Sequence, residues 1–176
     1  MSHFLIFIGA LSRLLPHPAN FTPVTALALF GGSRLPKKQA LFVPLIAMVI
    51  SDIGLHFVAG YPFLTGDTLF VYVSLILVSM TGMWLRKENS FSRFLLSSIS
   101  SVALFFVVTN FGTWLTGGIY PRTLSGLVNC YIAAIPFVRN SLFGDLAWIA
   151  IFFGSSAVMS FKVHKCASLP TQSLSR

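Results

Sequence analysis

Long apolar runs separated by short polar breaks dominate this chain, and six of them predict helices: 3–15, 23–33, 39–59, 68–85, 94–115 and 144–161. The first break, 16–22, is rich in proline. The second run opens on Pro23, a residue well tolerated at a first helical position, and Arg34, Lys37 and Lys38 close it. The third carries Pro44. Arg86, Lys87, Glu88 and Arg93 form a charged loop before the fifth. A further apolar stretch, 123–140, is broken by Pro136. It is expected to lie in, or dip into, the outer part of the bundle, supported by its neighbours.

The first two runs have 13 and 11 residues, against the roughly 20 needed to cross a full hydrocarbon core. They are expected to tilt into a thinned region, to extend through the proline-rich segment, or to form a hairpin that crosses only partly.

Composition decides what the apolar runs face. Apolar residues make up 55% of the 176 and charged residues only 9%, whereas a soluble domain carries about 25% charged residues to wet its surface. The excess apolar area must face lipid. The fold class expected is therefore all-α: a polytopic integral membrane helix bundle of about six transmembrane segments with an extra outer helix. One transmembrane domain covers 1–163, and the polar tail 164–176 is expected to be disordered. No internal repeat or low-complexity segment appears. The first run is not read as a cleaved signal. It lacks a basic start, Arg13 interrupts it, and Pro16-His17-Pro18 follows where small residues would stand.

Twelve Lys and Arg against four acidic residues give a net charge of +8. The basic residues sit between apolar runs rather than on one face or arm, so nucleic acid is not expected as a partner and the positive-inside rule explains them more simply. Three basic clusters, Arg34/Lys37/Lys38, Arg86 to Arg93 and Lys162/Lys165, fall at alternate ends of the last four runs. One topology places all three, and both termini, in the cytoplasm. The loop 61–67 and the segment 117–143 then face outward, with Arg122 and Arg139 as exceptions that suggest a local role. Cys130 and Cys166 are the only cysteines. They form no disulfide framework or metal pair and are expected to be free thiols.

Polar residues inside the apolar segments carry the candidate chemistry, because an unpaired intramembrane charge costs several kcal/mol. Arg13, Asn20, Asp52, His56, Asn110, Asn129, Arg139 and Asp145 all fall in the outer half under this topology. Asp52 and His56 are four residues apart, hence one turn apart on one helical face. Arg13 and Arg139 supply cations, and Asp145 stands near a helix start, where a carboxylate suits the dipole. These groups fit a structural network that locks helices together, a site for a polar ligand or ion, or a proton relay through Asp52 and His56. His17, His56 and Cys130 share no metal-site spacing, and Ser51-Asp52 is adjacent in sequence and so makes no triad. Trp114, Tyr61, Tyr120 and Tyr131 suit interface anchoring, or stacking on a flat ligand. Ala28/Gly32 and Ala150/Gly154 form small-residue faces for helix packing or for docking another membrane subunit.

Several motifs resemble a family of uncharacterised small bacterial membrane proteins. They are Arg13-Leu-Leu-Pro-His-Pro-Ala-Asn-Phe-Thr-Pro-Val, Ala26-Leu-Ala-Leu-Phe-Gly-Gly32, Val43-Pro-Leu-Ile-Ala-Met with Ser51-Asp52, Thr109-Asn110-Phe111-Gly112 with Trp114, and Gly126 through Cys130-Tyr131 to Ala134-Ile-Pro-Phe137. The match runs from Arg13 to about Gly154. It implies a multi-pass protein of the bacterial cytoplasmic membrane. The layout is also similar to the substrate-binding S components of energy-coupling factor (ECF) transporters, small six-helix proteins with an outer pocket. That similarity implies a subunit that captures a small polar or amphipathic solute and docks on a transmembrane coupling subunit with ATPases. The chain itself carries no Walker A sequence and no cofactor motif. The candidate substrate-binding set is Arg13, His17, Asn20, Asp52, His56, Asn110, Trp114, Asn129, Arg139 and Asp145, with no catalytic or metal-binding residue. The competing reading is a structural or assembly protein without a small ligand. An enzyme using Asp52 and His56 as acid and base has the least support, since no nucleophile stands at useful spacing, and the chain is not expected to be one.

Overall fold

The structure, a computed structural model, describes residues 2–15, 23–86 and 91–167, with side chains described to residue 155 apart from 91 and 94. All regular elements within it are helices: α1 (Ser2–Leu14), α2 (Val24–Arg34), α3 (Lys37–Ala59), α4 (Thr68–Leu85), α5 (Phe91–Thr116) and α6 (Leu124–Ala167). Four of them, α3 to α6, are long and apolar enough to cross a membrane. Large apolar side chains such as Phe4, Phe57, Val58 and Ile132 stand exposed around the bundle. In water such a surface would be an aggregation liability; in lipid it is solvated. The chain is a membrane protein.

Helix α2 explains the arrangement of the rest. Its 11 residues make a rod of about 16 Å at 1.5 Å per residue, half of a hydrocarbon core of about 30 Å. Both helix ends would meet lipid with unsatisfied backbone groups, each costing several kcal/mol. The fold removes that cost by burial: every residue from Val24 to Gly32 is buried, and α3, α4, α5 and α6 pack around the helix. Burial of apolar area is not what holds helices together in lipid, since the tails are equally apolar; close backbone approach is. The small residues of α2 serve that purpose. A Cβ placed on Gly32 would come 2.3 Å from the Ser79 carbonyl oxygen and 2.9 Å from Cα of Gly82.

The two ends of α2 are met by charged side chains of other elements. At its C-terminal end, Arg86 Nε donates to the Gly32 carbonyl at 2.6 Å, and its second guanidinium arm donates to the Leu35 carbonyl. A cation at a helix C-terminus also opposes the negative dipole end. At the N-terminal end, the backbone N–H of Ala26 donates to the carboxylate of Asp145 on α6.

Helix α1 runs alongside α3 in the same direction and adds Leu5 to this core. Gly9 faces Ala47 and Leu27, and Gly54 faces Leu14. Its buried face is Leu5, Gly9 and Ala10, while Phe4 and Phe7 face outward. Leu35 and Pro36 turn the chain sharply from α2 into α3. The α3 helix ends at Gly60, whose φ of 69° and N–H bond to the His56 carbonyl make a left-handed cap.

One expectation is corrected. The stretch 123–140 is no separate outer helix; it continues without a break into the last span as α6, 44 residues long. Pro136 removes a single donor from the helix ladder, a loss that neighbouring helices tolerate in membranes. Thr123 caps the start, its Oγ1 accepting the Gly126 N–H at 3.2 Å. At about 66 Å this helix exceeds a single bilayer crossing. Its helical path includes 164–167, the first residues of the expected tail; residues 168–176 lie outside the described residues.

Two of the basic clusters meet at one end of the bundle. Arg86 ties the α4 end to the α2–α3 corner. Arg34 lies over the Phe153 ring of α6 at 5.7 Å, and Arg93 over Trp84 at 5.3 Å.

Candidate functional site

At the opposite end, the helices separate around a cavity of about 670 Å³. The end of α1, the first turn of α2, the later part of α3, Tyr61, the start of α4, the second half of α5 and the first half of α6 line it. Its wall has an aromatic and aliphatic body, with Phe105, Phe106 and Phe137 among the lining residues. Polar groups converge on it from four helices: Arg13 (α1), Thr25 (α2), Thr109, Asn110 and Thr113 (α5), Ser141 and Asp145 (α6).

Arg13 enters as one half of an ion pair. Its guanidinium Nη1 lies 2.6 Å from Asp52 Oδ1 and donates to Ser51 Oγ at 2.5 Å. Tyr72 of α4 donates its hydroxyl to the other carboxylate oxygen of Asp52 at 3.3 Å. The network thus ties α1, α3 and α4 together, and both ions are mostly shielded, with side chains 16% and 14% exposed. Placing Arg13 in the last turn of α1 also suits that helix dipole.

Asp145 is the second ionisable group on the wall, and it is 5% exposed. It keeps the Ala26 N–H as a partner. No Arg, Lys or His among the described residues stands within ion-pair distance of it. Asn110 turns its amide to the Phe106 carbonyl one turn back at 2.8 Å, and its own backbone oxygen accepts from the buried free thiol of Cys130 at 3.5 Å.

Of the expected site residues, the structure brings Arg13, Asn110 and Asp145 to the cavity, with Asp52 directly behind Arg13. Four are elsewhere. His56 is exposed, and its Nδ1 bonds the Tyr61 carbonyl at 2.8 Å, closing the end of α3. It makes no direct hydrogen bond to Asp52. Trp114 donates its indole N–H to the Pro121 carbonyl at 3.0 Å and stiffens the α5–α6 loop. Asn129 and Arg139 are exposed on α6. His17 and Asn20 lie outside the described residues. Among the described residues no three His, Cys, Asp or Glu side chains gather as a metal site would require.

Sequence reasoning missed Tyr72 and Arg86 as partners, and the hydroxyl and aromatic lining. A signal for the lining existed. Phe137, Ser141 and Asp145 repeat every four residues, as do Phe105, Thr109 and Thr113, and that spacing keeps each set on one helical face.

A family model described as a family of unknown function, DUF6580, matches residues 1–169. The chain belongs to this family. No curated protein and no solved structure matches the chain. The DUF6580 chain therefore has to be read from its own cavity and charges.

Proposed function

We propose that this DUF6580 chain is the solute-capturing subunit of a membrane uptake system, comparable in role to an ECF S component. The cavity carries the reading. Its volume of about 670 Å³ falls in the range of roughly 300–1,000 Å³ usual for small-molecule sites. An apolar body with a few convergent polar groups is the usual make-up of such a site. The basic end is the cytoplasmic one in this reading, by the positive-inside rule, so both termini are cytoplasmic and the cavity faces outward across a bacterial cytoplasmic membrane. Energy comes from partners, a transmembrane coupling subunit with ATPases. Ala150 is exposed on α6, and a Cβ on Gly154 would meet nothing within 4 Å, a surface on which another helix could seat closely. No chemical step is assigned to the chain.

The test fills the cavity. Ala134 lines it from α6, and Ala134→Trp occupies its volume. The purified full chain, denatured and analysed by mass spectrometry, is expected to release a small solute that Ala134→Trp, folded to the same helicity, does not. Equal release from both proteins contradicts solute capture in this cavity.

One observation favours a second reading, a structural or assembly protein without a small ligand: Arg13, Asp52 and Tyr72 satisfy one another. Under that reading Ala134→Trp leaves assembly with partner subunits intact and no solute is ever released.

A further inference from the structure

Asp145 is an intramembrane carboxylate, 5% exposed, on the wall of the cavity, and no cation among the described residues pairs with it. An isolated carboxylate in such a place is costly and marks function by default. The charges around the cavity can be weighed. Arg13 contributes one positive charge, and Asp52, 2.6 Å behind it, cancels it. The first turn of α2 presents the positive end of a helix dipole, equivalent to about half an elementary charge. Asp145, when ionised, contributes a negative charge and already accepts from that turn through Ala26. With Asp145 ionised, the balance among the described residues of the wall is negative. Phe105, Phe106, Phe137 and Tyr61 supply ring faces that attract cations and repel anions.

We propose that the cavity takes an amphipathic organic cation, an ammonium group on an apolar body, with Asp145 as its counter-ion. This rests on the reading of the cavity as the solute site and adds the chemical class. The ammonium donates hydrogen bonds to the carboxylate oxygens, and the apolar body lies against the phenyl rings. A bare inorganic ion would leave most of a 670 Å³ space unfilled. A neutral solute would leave the carboxylate unpaired.

Three probes of like skeleton and different charge test it on the full chain in detergent: phenethylamine, phenethyl alcohol and phenylacetate, with binding measured by calorimetry. Phenethylamine is expected to bind about tenfold or more tighter than either of the others. Asp145→Asn keeps an acceptor for Ala26 and is expected to remove that preference, bringing the affinity for the amine down to that for the alcohol. Ser141→Lys provides a second variant should Asp145→Asn fail to fold. Residue 141 lines the cavity one turn before Asp145, so a lysine there pairs the carboxylate internally and is expected to abolish phenethylamine binding. Wild-type protein that binds the alcohol or phenylacetate as tightly as the amine overturns the cation assignment and leaves the solute site standing. Amine binding that survives both variants also overturns it. Failure of all three probes to bind overturns the cation assignment together with the solute-capture reading.

Discussion

Gly32 of α2 and Gly82 of α4 meet backbone to backbone. A Cβ added to Gly82 would come 3.0 Å from Cα of Gly32 and 2.3 Å from the Leu29 carbonyl oxygen. The atoms it would strike belong to rigid helix backbone, so no side chain can swing away to make room. Gly82→Ala is therefore expected to push α2 off α4 and lower stability by about 1–3 kcal/mol, the usual cost of overpacking. Gly154→Ala is the control, because open space surrounds that position. Thermal unfolding of the two variants in one detergent checks this: Gly82→Ala melts earlier and Gly154→Ala melts with wild type.

The Arg13–Asp52 pair gives a second prediction. Arg13→Ala or Asp52→Ala leaves one charge shielded and uncompensated, at a cost of about 3–5 kcal/mol for a fully buried pair and less here, where each ion keeps some exposure. The double variant Arg13→Met/Asp52→Leu removes both charges and is expected to be more stable than either single variant. Additive losses in a double-mutant cycle would show that the two residues act independently. Tyr72→Phe removes one long hydrogen bond and is expected to cost about 1 kcal/mol or less.

Arg86 makes a third case. Its two arms reach two different carbonyls at the end of α2, and a lysine point charge cannot satisfy both. Arg86→Lys is expected to destabilise the bundle by about 1–2 kcal/mol and Arg86→Ala by more, since buried carbonyls lose their donors. Denaturant melts monitored by helicity check the order.

Much of this fold is legible in the sequence, because lipid demands long apolar helices and punishes charge. The runs 39–59 and 68–85 match α3 and α4 within two residues at either end. Pro136 misleads for a physical reason. It reads as a break, yet inside a bundle it removes only one donor and α6 continues through it. The enclosure of α2 is not legible either. Its shortness is plain, but which neighbours surround it depends on the Gly32–Gly82 contact and on distant partners at residues 86 and 145. The candidate site is half legible for the same reason. Intramembrane charge singles out Arg13, Asp52 and Asp145, while helical spacing pairs Asp52 with His56. The tertiary structure gives Asp52 to Arg13, and His56 closes its own helix end.

The most direct measurement is thiol accessibility of the cavity wall from each side of the membrane. With Cys130 and Cys166 replaced, Thr109→Cys stands in the cavity and Val107→Cys on the exposed face of α5. A membrane-impermeant methanethiosulfonate reagent is expected to modify Thr109→Cys from the side that carries Tyr61, to leave Val107→Cys unmodified, and to lose access to Thr109→Cys when Ala134→Trp is added. Thr109→Cys as inert as Val107→Cys, or reactive only from the side that carries Lys38, would contradict a solute cavity open at the end opposite the basic clusters.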